Sequence, residues 1–317
     1  MPINIETSQK PLVDVLLSIY RPNPDYLKAQ LESIDKQDYP NLRLLVHNDC
    51  PDESIDTDLF RNACPTVPIT YLPETGKNHG YTKAFERLVE HSTGEYIAFC
   101  DQDDIWLPNK ITKMTKTMQA DHSLAAASER TIIDGNGTVI KTRARTGSTK
   151  GWDNWVTGDN IFVRTSVICY AVGMSMLLNG DFARSIIPFS SNTGHDKWAL
   201  ICASAEGTVS FVDEPLVMYR RHGANVSGTL VGINSKEDYR RQRVEPFLNL
   251  CNEIVDRYPD HPDINLLKSF AVARDRGNAL ALLKNRNVCP QVALFDAVVA
   301  LTPNALFRSL VNIARKM

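Results

Sequence analysis

The sequence predicts an α/β protein in which a mostly parallel central sheet is flanked by helices and followed by a C-terminal helical extension. In the first hundred residues, short apolar runs alternate three times with segments of helical periodicity. This alternation is typical of parallel strands whose connecting helices cover both faces of the sheet. From about residue 235 the apolar spacing is helical to the end. We therefore expect an α/β domain over residues 1–230 and a helical region over residues 231–317.

Residues 12–34 predict the first strand and the first helix. The apolar run at 12–20 is short and continuous, as in strands that are buried on both faces. Asn23 is a favoured capping residue and Pro24 suits the first helical position. Apolar residues then recur at helical spacing up to Ile34.

The other elements follow from the same two patterns, separated by turn-forming residues. Gly94 is expected to end the third helix in a left-handed conformation. Residues 134–137 predict a hairpin turn. We expect strands at 42–46, 67–72, 96–100, 125–133, 138–140, 173–178, 209–212 and 216–220, and helices at 52–62 (or a loop), 81–93, 108–120, 181–187 and 194–205.

The composition argues against several classes of protein. The formal net charge of −2 provides no bulk positive field for nucleic acid or anionic lipid. No apolar run approaches the ~20 residues needed to span a bilayer, and no basic-then-apolar leader begins the chain. The seven cysteines form no Cys-x-x-Cys pair, which predicts reduced thiols. These observations favour a cytoplasmic protein without a nucleic-acid partner.

An apolar strand runs directly into three carboxylates, Asp101, Asp103 and Asp104. A fold tolerates such crowding only if the charges are solvated, hydrogen-bonded or neutralised by a cation. In open α/β sheets, ligands bind beyond the carboxyl ends of the strands, and oxygen ligands suit hard divalent ions. We interpret the stretch as a divalent-cation site, with Asp104 as a structural residue that caps the following turn. The alternative is a solvated acidic turn.

Polar residues also follow the other predicted strands, among them Ser18, Tyr20 and Asp49. Because parallel strands end at the same edge of a sheet, we expect these groups to line a nucleotide site there. No Gly-x-Gly-x-x-Gly or Walker-type loop follows the first strand, which argues against dinucleotide dehydrogenases and P-loop enzymes. The lack of a basic, glycine-rich phosphate loop also argues against a nucleotidyltransferase.

Six motifs occur in an order that resembles the inverting glycosyltransferases of family 2, which have the GT-A fold. They lie at residues 16–20, 45–49, 78–80, 94–106, 194–198 and 219–228, and the resemblance spans about two-thirds of the chain. The Asp-Gln-Asp-Asp-Ile-Trp, His-Asp-Lys-Trp and Tyr-Arg-Arg-His-Gly forms are most similar to bacterial rhamnosyltransferases of surface polysaccharide synthesis.

The resemblance implies a reaction and a set of site residues. A sugar would be transferred from a nucleotide diphosphate to a saccharide or lipid-linked saccharide acceptor. The similarity to rhamnosyltransferases implies that the sugar is rhamnose and the donor dTDP-rhamnose. Asp103, Asp101 and His222 would form the site for Mg²⁺ or Mn²⁺, with Asp103 the direct ligand and Asp101 nearer the ribose or a bound water. His222 would complete the metal shell or close over the diphosphate, and Asp196 would be the general base. The implied substrate contacts are Ser18, Tyr20, Arg21, Asp49, Asn78, Gly80, Gln102, His195, Trp198 and Arg221.

The chemistry explains these residue types. The leaving nucleoside diphosphate gains negative charge, which a divalent cation stabilises. The acceptor hydroxyl has a very high pKa, so a carboxylate on the opposite face must take its proton. One base and no enzymic nucleophile give inversion at the anomeric carbon. Other UDP-sugars (glucose, galactose or N-acetylhexosamine) and a non-catalytic sugar-nucleotide scaffold are the alternatives, although the intact carboxylates argue against a scaffold.

The chain departs from the family pattern at two strand ends. Asn48-Asp49-Cys50-Pro51 replaces the common Asp-Asp-Gly-Ser, and Tyr20-Arg21 replaces Tyr-Asn, so that Arg21 is a candidate phosphate contact. Asp49 alternatively caps a helix.

Several other positions have a second interpretation. Asp196 is alternatively a charge favoured by a helix dipole. His195 either orients Asp196 or faces solvent, and one of Arg220 and Arg221 should point away from the site. Core packing is favoured over acceptor stacking for Trp152 and Trp155.

The C-terminal stretch also has two interpretations. We favour packing of its apolar residues in the core or against a second copy in a homodimer. The alternative is peripheral contact with the inner face of the cell membrane through residues 293–317, with Arg308, Arg315 and Lys316 outside.

Overall fold

The computed structural model describes residues 10–144, 154–222, 230 and 232–314. Trp152, residues 223–228 of the last motif, Arg315 and Lys316 lie outside the described residues. Within the described part of the chain, no helix is both long and apolar enough to cross a bilayer.

The described residues form a nine-stranded sheet in the order β3-β2-β1-β4-β8-β6-β9-β5, with β7 paired to β6. The first four strands pair in parallel, as predicted. The second half is mixed, because β8 runs antiparallel to both β4 and β6 while β6 and β9 are parallel. The strands are β1 Val13–Ile19, β2 Leu42–Asn48, β3 Ile69–Tyr71, β4 Tyr96–Cys100, β5 Ile105–Trp106, β6 Ala125–Ile133, β7 Val139–Lys141, β8 Met176–Asn179 and β9 Val209–Arg220.

Helices cover both faces of the sheet. The Asn23 side chain caps the first of them as predicted, accepting the N–H groups of Asp25 and Tyr26. The helices are α1 Pro24–Asp35, α2 Thr57–Ala63, α3 Tyr81–His91, α4 Lys110–Asp121, α5 Phe162–Val167, α6 Gly180–Ser185, α7 His195–Glu206, α8 Lys236–Tyr239, α9 Glu245–Arg257, α10 Ile264–Asp275, α11 Ala279–Lys284, α12 Pro290–Leu301 and α13 Asn304–Ala314.

The sheet separates two apolar cores. Leu16 and Leu17 of β1 point to opposite faces and are both fully buried, Leu16 on the side of α3 and α7 and Leu17 on the side of α1 and α4. Phe247 of α9 and Phe270 of α10 belong to the same core as Leu16. The C-terminal helices therefore share a core with the sheet, and the domain boundary near residue 230 stays a prediction.

Gly94 differs from its prediction. The third helix ends at His91, followed by extended Ser92, and Gly94 is not among the residues with positive φ. A Cβ at Gly94 would lie 2.7 Å from the carbonyl oxygen of Tyr96 and 2.9 Å from the nitrogen of Asp14. Close approach of the backbone to β1, rather than a left-handed turn, is the reason for a glycine here.

Asp14 anchors the segment that leads into β4. Its fully buried carboxylate accepts two hydrogen bonds from Arg43, at 2.9 and 2.8 Å, and others from the Ser92 hydroxyl and the N–H groups of Thr93 and Gly94. Burial alone would raise the pKa of this carboxyl, but the hydrogen bonds from Arg43, Ser92 and Gly94 outweigh it and hold the pKa below its usual range.

Asp14→Asn should lower the free energy of unfolding by about 3 kcal/mol, because it leaves the Arg43 guanidinium unpaired and turns an amide NH₂ toward N–H donors. Urea denaturation at pH 7 measures the change. Asp58→Asn is the matched control, since its pair with Arg61 is 77% and 73% exposed and should change stability by less than about 0.5 kcal/mol. Equal effects of the two substitutions would contradict the anchoring role.

Candidate active site at the carboxyl edge of the sheet

The segments that follow β1 and β4 leave the sheet side by side, since Leu17 lies opposite Cys100 in the parallel register. Gln102 joins them. Its amide nitrogen donates to the Tyr20 carbonyl over 3.1 Å, and its amide oxygen accepts the Tyr20 N–H over 2.9 Å. Gln102 therefore has a structural role, because both ends of its amide bind main chain, while the substrate contact predicted for it stays a prediction.

The predicted metal ligands Asp103 and His222 lie together, although 119 residues separate them. His222 Nε2 is 2.7 Å from Asp103 Oδ2, and each side chain is 21% exposed. The two residues leave the sheet from β4 and β9, which the topology places on the same edge. A carboxylate oxygen and an imidazole nitrogen are both suitable ligands for Mn²⁺, and the carboxylate also suits Mg²⁺.

The described residues supply only part of the ligand set that a divalent cation needs. Within the described residues, no three His, Cys, Asp or Glu side chains form a ready-made cage. Mg²⁺ in phosphate-transfer sites is commonly held by one or two carboxylates and completed by substrate phosphates and water. Asp103 and His222, with Asp101 behind them, are consistent with such a partial ligand set.

Asp101 connects the acidic turn to the predicted base. Burial, then the nearby Asp103 and Asp196 carboxylates, raises the pKa of Asp101 to about 7, while the Lys110 ammonium lowers it. The rings of His195 at the start of α7 and Phe99 of β4 are 4.6 Å apart between centroids, so the start of α7 lies against the end of the strand that precedes the acidic turn. The contribution of Asp196 to the raised pKa of Asp101 agrees with this arrangement.

Asp196 lies in the first turn of α7. Its Oδ1 accepts the N–H of Lys197 over 2.7 Å, and the side chain is partly exposed. A Cβ at Gly194, the residue before the helix, would lie 2.7 Å from Asp196 Oδ1 and within 3.7 Å of Tyr81. The glycine thus leaves room for the carboxylate beside Tyr81, which is 54% exposed.

Tyr81 is a site candidate that the sequence analysis missed. It is the first residue of α3, directly after the Asn-His-Gly motif. Neither the residue pattern nor the motif spacing indicated that it would be exposed beside the predicted base. A phenol hydroxyl both donates and accepts hydrogen bonds, so the exposed Tyr81 is a candidate contact for a sugar hydroxyl.

His195 does not have either role predicted for it. It is 5% exposed, stacks on Phe85 at 3.9 Å between centroids and meets the edge of Phe99 at 4.6 Å. Neither ring nitrogen has a hydrogen-bond partner among the described residues. It therefore neither faces solvent nor orients Asp196 by a hydrogen bond, and burial, against the Asp196 charge, lowers its pKa to about 4.

His195→Leu should reduce the loss in free energy of unfolding that occurs as the pH falls. The unfolded imidazole takes up a proton near its usual pKa of about 6.5, whereas the buried ring does so only near pH 4. The neutral ring therefore stabilises the fold above pH 6.5, and this contribution, about 3 kcal/mol, is lost as the pH falls from 6.5 to 4. Urea denaturation at pH 4.5, 5.5 and 7 measures it.

The control for this prediction is His91→Gln, since His91 is exposed at the end of α3. The control should lose stability on acidification as the wild type does, while the Leu variant should lose less. Parallel pH profiles for the wild type and His195→Leu would show that the ring is protonated in the folded protein at ordinary pH.

Asp49 fixes the turn that precedes α3. Its carboxylate is buried and accepts the N–H of His79 at 2.7 Å and that of Gly80 at 2.9 Å. The Asn78 side chain also accepts the Gly80 N–H, and Gly80 has a φ of 77°. Asp49 does not cap a helix, since Asp56 caps α2 and no side chain caps α3 at Gly80. Nucleotide contacts for Asp49, Asn78 and Gly80 stay predictions.

At the end of β1, Arg21 turns toward the acidic loop after β2. Its guanidinium lies 3.7 Å from Asp52 and 3.6 Å from Glu53, and its backbone φ is 44°. The predicted phosphate contact would therefore compete with two carboxylates. Tyr20 is 44% exposed and Ser18 is partly buried, so both remain candidate contacts at this edge.

Of the two arginines at the end of β9, one is buried and the other exposed, as strand alternation predicts. Arg220 is 4% exposed, while Arg221 is exposed and stays a candidate substrate contact. The Arg220 N–H donates to Asp104 Oδ1 and its Nε donates to the Asp103 carbonyl, both over 2.8 Å. Asp104 is thus structural as predicted, but its partner is β9 rather than its own turn.

Two tryptophans lie in the core. Trp198 is 3% exposed and its indole N–H donates to the Ile186 carbonyl over 3.0 Å, so the substrate contact predicted for it is wrong. Trp155 is 2% exposed and packs against Phe211, which confirms the favoured core interpretation.

Lys110 is a second residue that the sequence analysis missed. It is fully buried at the start of α4, and its ammonium lies 3.2 Å from the centroid of the Trp106 ring. The nearby carboxylates of Asp101 and Asp104 favour its charged form, but burial is the larger effect and lowers its pKa to about 7.

Comparison with known proteins gives a family match. The model described as "Glycosyl transferase family 2" matches residues 14–182, which is more than half of the chain. An uncharacterized glycosyltransferase of Nostoc sp. is 22% identical over 83% of this chain and 82% of its own length. The Escherichia coli UDP-Glc:alpha-D-GlcNAc-diphosphoundecaprenol beta-1,3-glucosyltransferase WfgD is 30% identical over 40% of this chain and 51% of its own.

Solved structures of low sequence identity share the fold. S. aureus TarS 1-349 in complex with UDP-GlcNAc is 15% identical, with a TM-score of 0.59 over 96% of this chain and 92% of that one. The mannosyltransferase PcManGT from Pyrobaculum calidifontis, in complex with GDP-Man and Mn²⁺, is 16% identical, with a TM-score of 0.56 over 97% of this chain and 80% of that one. The likeness shows a GT-A fold with C-terminal helices, as predicted.

Proposed function

Because the chain belongs to glycosyl transferase family 2, we propose that it transfers a sugar from a nucleoside diphosphate to a saccharide or lipid-linked saccharide with inversion, in the presence of Mg²⁺ or Mn²⁺. The observation that carries the proposal is the juxtaposition of Asp103 with His222 at the sheet edge that Asp196 also faces. This arrangement supports a proposal in which a donor-binding half and a proton-accepting half share one site.

The roles follow from position. Asp103 and His222 would hold the cation, and Asp101 would support them from behind. When bound, the cation supplies positive charge that stabilises the leaving diphosphate. Asp196 takes the proton of the acceptor hydroxyl as that oxygen bonds to the anomeric carbon and the bond from this carbon to the diphosphate breaks. Gly194 leaves room for the Asp196 carboxylate beside Tyr81.

We propose rhamnose from dTDP-rhamnose as the donor sugar, on the strength of the motif forms at 101–106, 195–198 and 219–223. The named relatives and neighbours use or bind UDP-glucose, UDP-GlcNAc and GDP-mannose, so UDP-linked hexoses are the second candidates. A lipid-linked acceptor is suggested by the diphosphoundecaprenol substrate in the name of the Escherichia coli relative.

A donor panel tests the proposal. The full chain is mixed with dTDP-rhamnose, UDP-glucose, UDP-galactose, UDP-GlcNAc or GDP-mannose, with Mn²⁺ or with EDTA, and its melting temperature is measured. A donor at a hundred times its Kd should add about 2.7 kcal/mol of stability, and only with Mn²⁺. Release of the nucleoside diphosphate from that donor then separates an enzyme from a scaffold. Failure of every donor to stabilise the protein would overturn the proposal.

A further inference from the structure

Exposed apolar side chains are concentrated on the C-terminal helices. Eight of the thirteen large exposed hydrophobic residues among the described residues lie between 264 and 314. The most exposed are Leu280 at 81% and Leu301 at 75%. Scattered single residues of this kind are normal on a protein surface, but a concentration on one substructure marks an interaction surface.

On α12 the exposed residues form one line. Leu294, Val298 and Leu301 follow the spacing i, i+4 and i+7, which places them on a single helical face. The other side of the helix is occupied by Ala293 and Ala297, which are buried against the core. The helix is therefore apolar on both sides, with only one side packed against the protein.

Exposed apolar residues are also present on α13, which begins three residues after α12 ends. Leu306 and Ile313 are seven residues apart on its outer side, at 58% and 61% exposure, whereas Phe307 and Val311 are buried. We call Leu294, Val298, Leu301, Leu306 and Ile313 the apolar stripe.

The charge of this region differs in sign from that of the rest of the chain. Residues 276–317 contain six basic residues and one acidic residue, a net charge of +5, whereas the whole chain carries −2. The single acid, Asp296, is buried and bonded to Arg274 and Tyr239. No acidic side chain of the segment is therefore left to oppose an anionic surface.

The basic residues of the segment are available to a partner. Arg276, Lys284, Arg286 and Arg308 are exposed, and none of them forms an ion pair within the described residues. Exposed apolar residues combined with an excess of lysine and arginine match the two requirements for adsorption to anionic lipid: apolar insertion at the interface and attraction to the headgroups.

We propose that α11–α13 dock on the surface of an anionic phospholipid bilayer through the apolar stripe. This surface is distinct from the sheet edge that holds the predicted active site, and the proposal does not depend on which donor is used. Core packing, one of the two arrangements favoured for this region, is present on one side of α12. We assign the exposed side to the bilayer rather than to a second copy.

Vesicle flotation tests the proposal. The full chain is mixed with vesicles of phosphatidylcholine alone or with 30% phosphatidylglycerol, at low and at 0.5 M salt. The wild type should float with the anionic vesicles at low salt, and several-fold less in high salt or without the anionic lipid. The double substitution Leu301→Glu with Ile313→Glu should reduce flotation about tenfold or more.

Ile140→Glu is the matched control, since Ile140 is equally exposed, at 61%, on β7. It should float as the wild type does, and melting temperatures of all variants check folding. Absent binding to anionic vesicles, or equal binding by the double variant, would overturn the proposal. Sedimentation that shows a dimer dissociated by the double substitution, without vesicle binding, would assign the stripe to a second copy instead.

Discussion

Asp196→Asn should lower turnover by about 10³-fold while leaving donor binding unchanged. The asparagine has the same shape and its oxygen can still accept the Lys197 N–H, but it cannot take a proton from the acceptor hydroxyl. General-base assistance contributes about 10²–10⁴-fold to the rate in enzymes. The measurement is kcat with the donor identified in the panel, together with the donor-dependent shift in melting temperature.

The control is Asp181→Asn, which removes an aspartate of α6 whose side chain is 96% exposed and pairs with Arg184 on the surface. It should leave kcat within about twofold. Wild-type turnover in the Asp196 variant would show that another group takes the proton, and loss of the donor-dependent shift would show that Asp196 acts in binding instead.

Asp103→Asn should lower kcat/KM by about 10³-fold and abolish the Mn²⁺-dependent stabilisation by donor. The substitution removes the negative charge next to His222 Nε2, while the Asp103 carbonyl can still accept the Arg220 bond. Loss of one group that stabilises the developing charge commonly costs about 10²–10³-fold in kcat, and weaker cation binding adds to this in kcat/KM. Mn²⁺ titration followed by thermal shift measures binding, and donor turnover measures catalysis.

Asp52→Asn is the corresponding control, since Asp52 is a 75% exposed carboxylate on a neighbouring loop of the same edge. It should change neither quantity by more than about twofold. If the Asp103 variant keeps its Mn²⁺ response while losing turnover, the cation is held by other groups, and the ligand assignment fails even though the family assignment stands.

The sequence predicts individual strands and helices well, but it does not predict how the strands pair in the second half of the sheet. Strand β6 and the start of α7 agree closely with the periodic patterns, because each pattern reports the burial of its own segment. The position of β8 between β4 and β6 depends on pairing between residues about eighty positions apart. No periodicity carries that information.

The site shows the same division. The cation site that includes Asp103 was predicted from its place after a strand, whereas the roles of His222 and Asp196 were implied by the family resemblance. The fold brings the three residues to one edge of the sheet. The errors concern residues beside them in the motifs. His195 and Trp198 are three residues apart on α7, which places both on its buried face, whereas Asp196 points elsewhere. Helical spacing within the motif therefore indicated that His195 and Trp198 share a buried face, which the resemblance of the motif alone did not show.

The bonds from Arg220 have a consequence for how the chain tolerates changes in length. They connect the end of β9 to Asp103 and Asp104. The two predicted cation ligands, Asp103 and His222, therefore each lie within two residues of these hydrogen bonds. Insertions or deletions in the surface loops between 107 and 216 should therefore leave the distance between the ligands unchanged. Those loops are where the chain can acquire new acceptor contacts without loss of the chemistry.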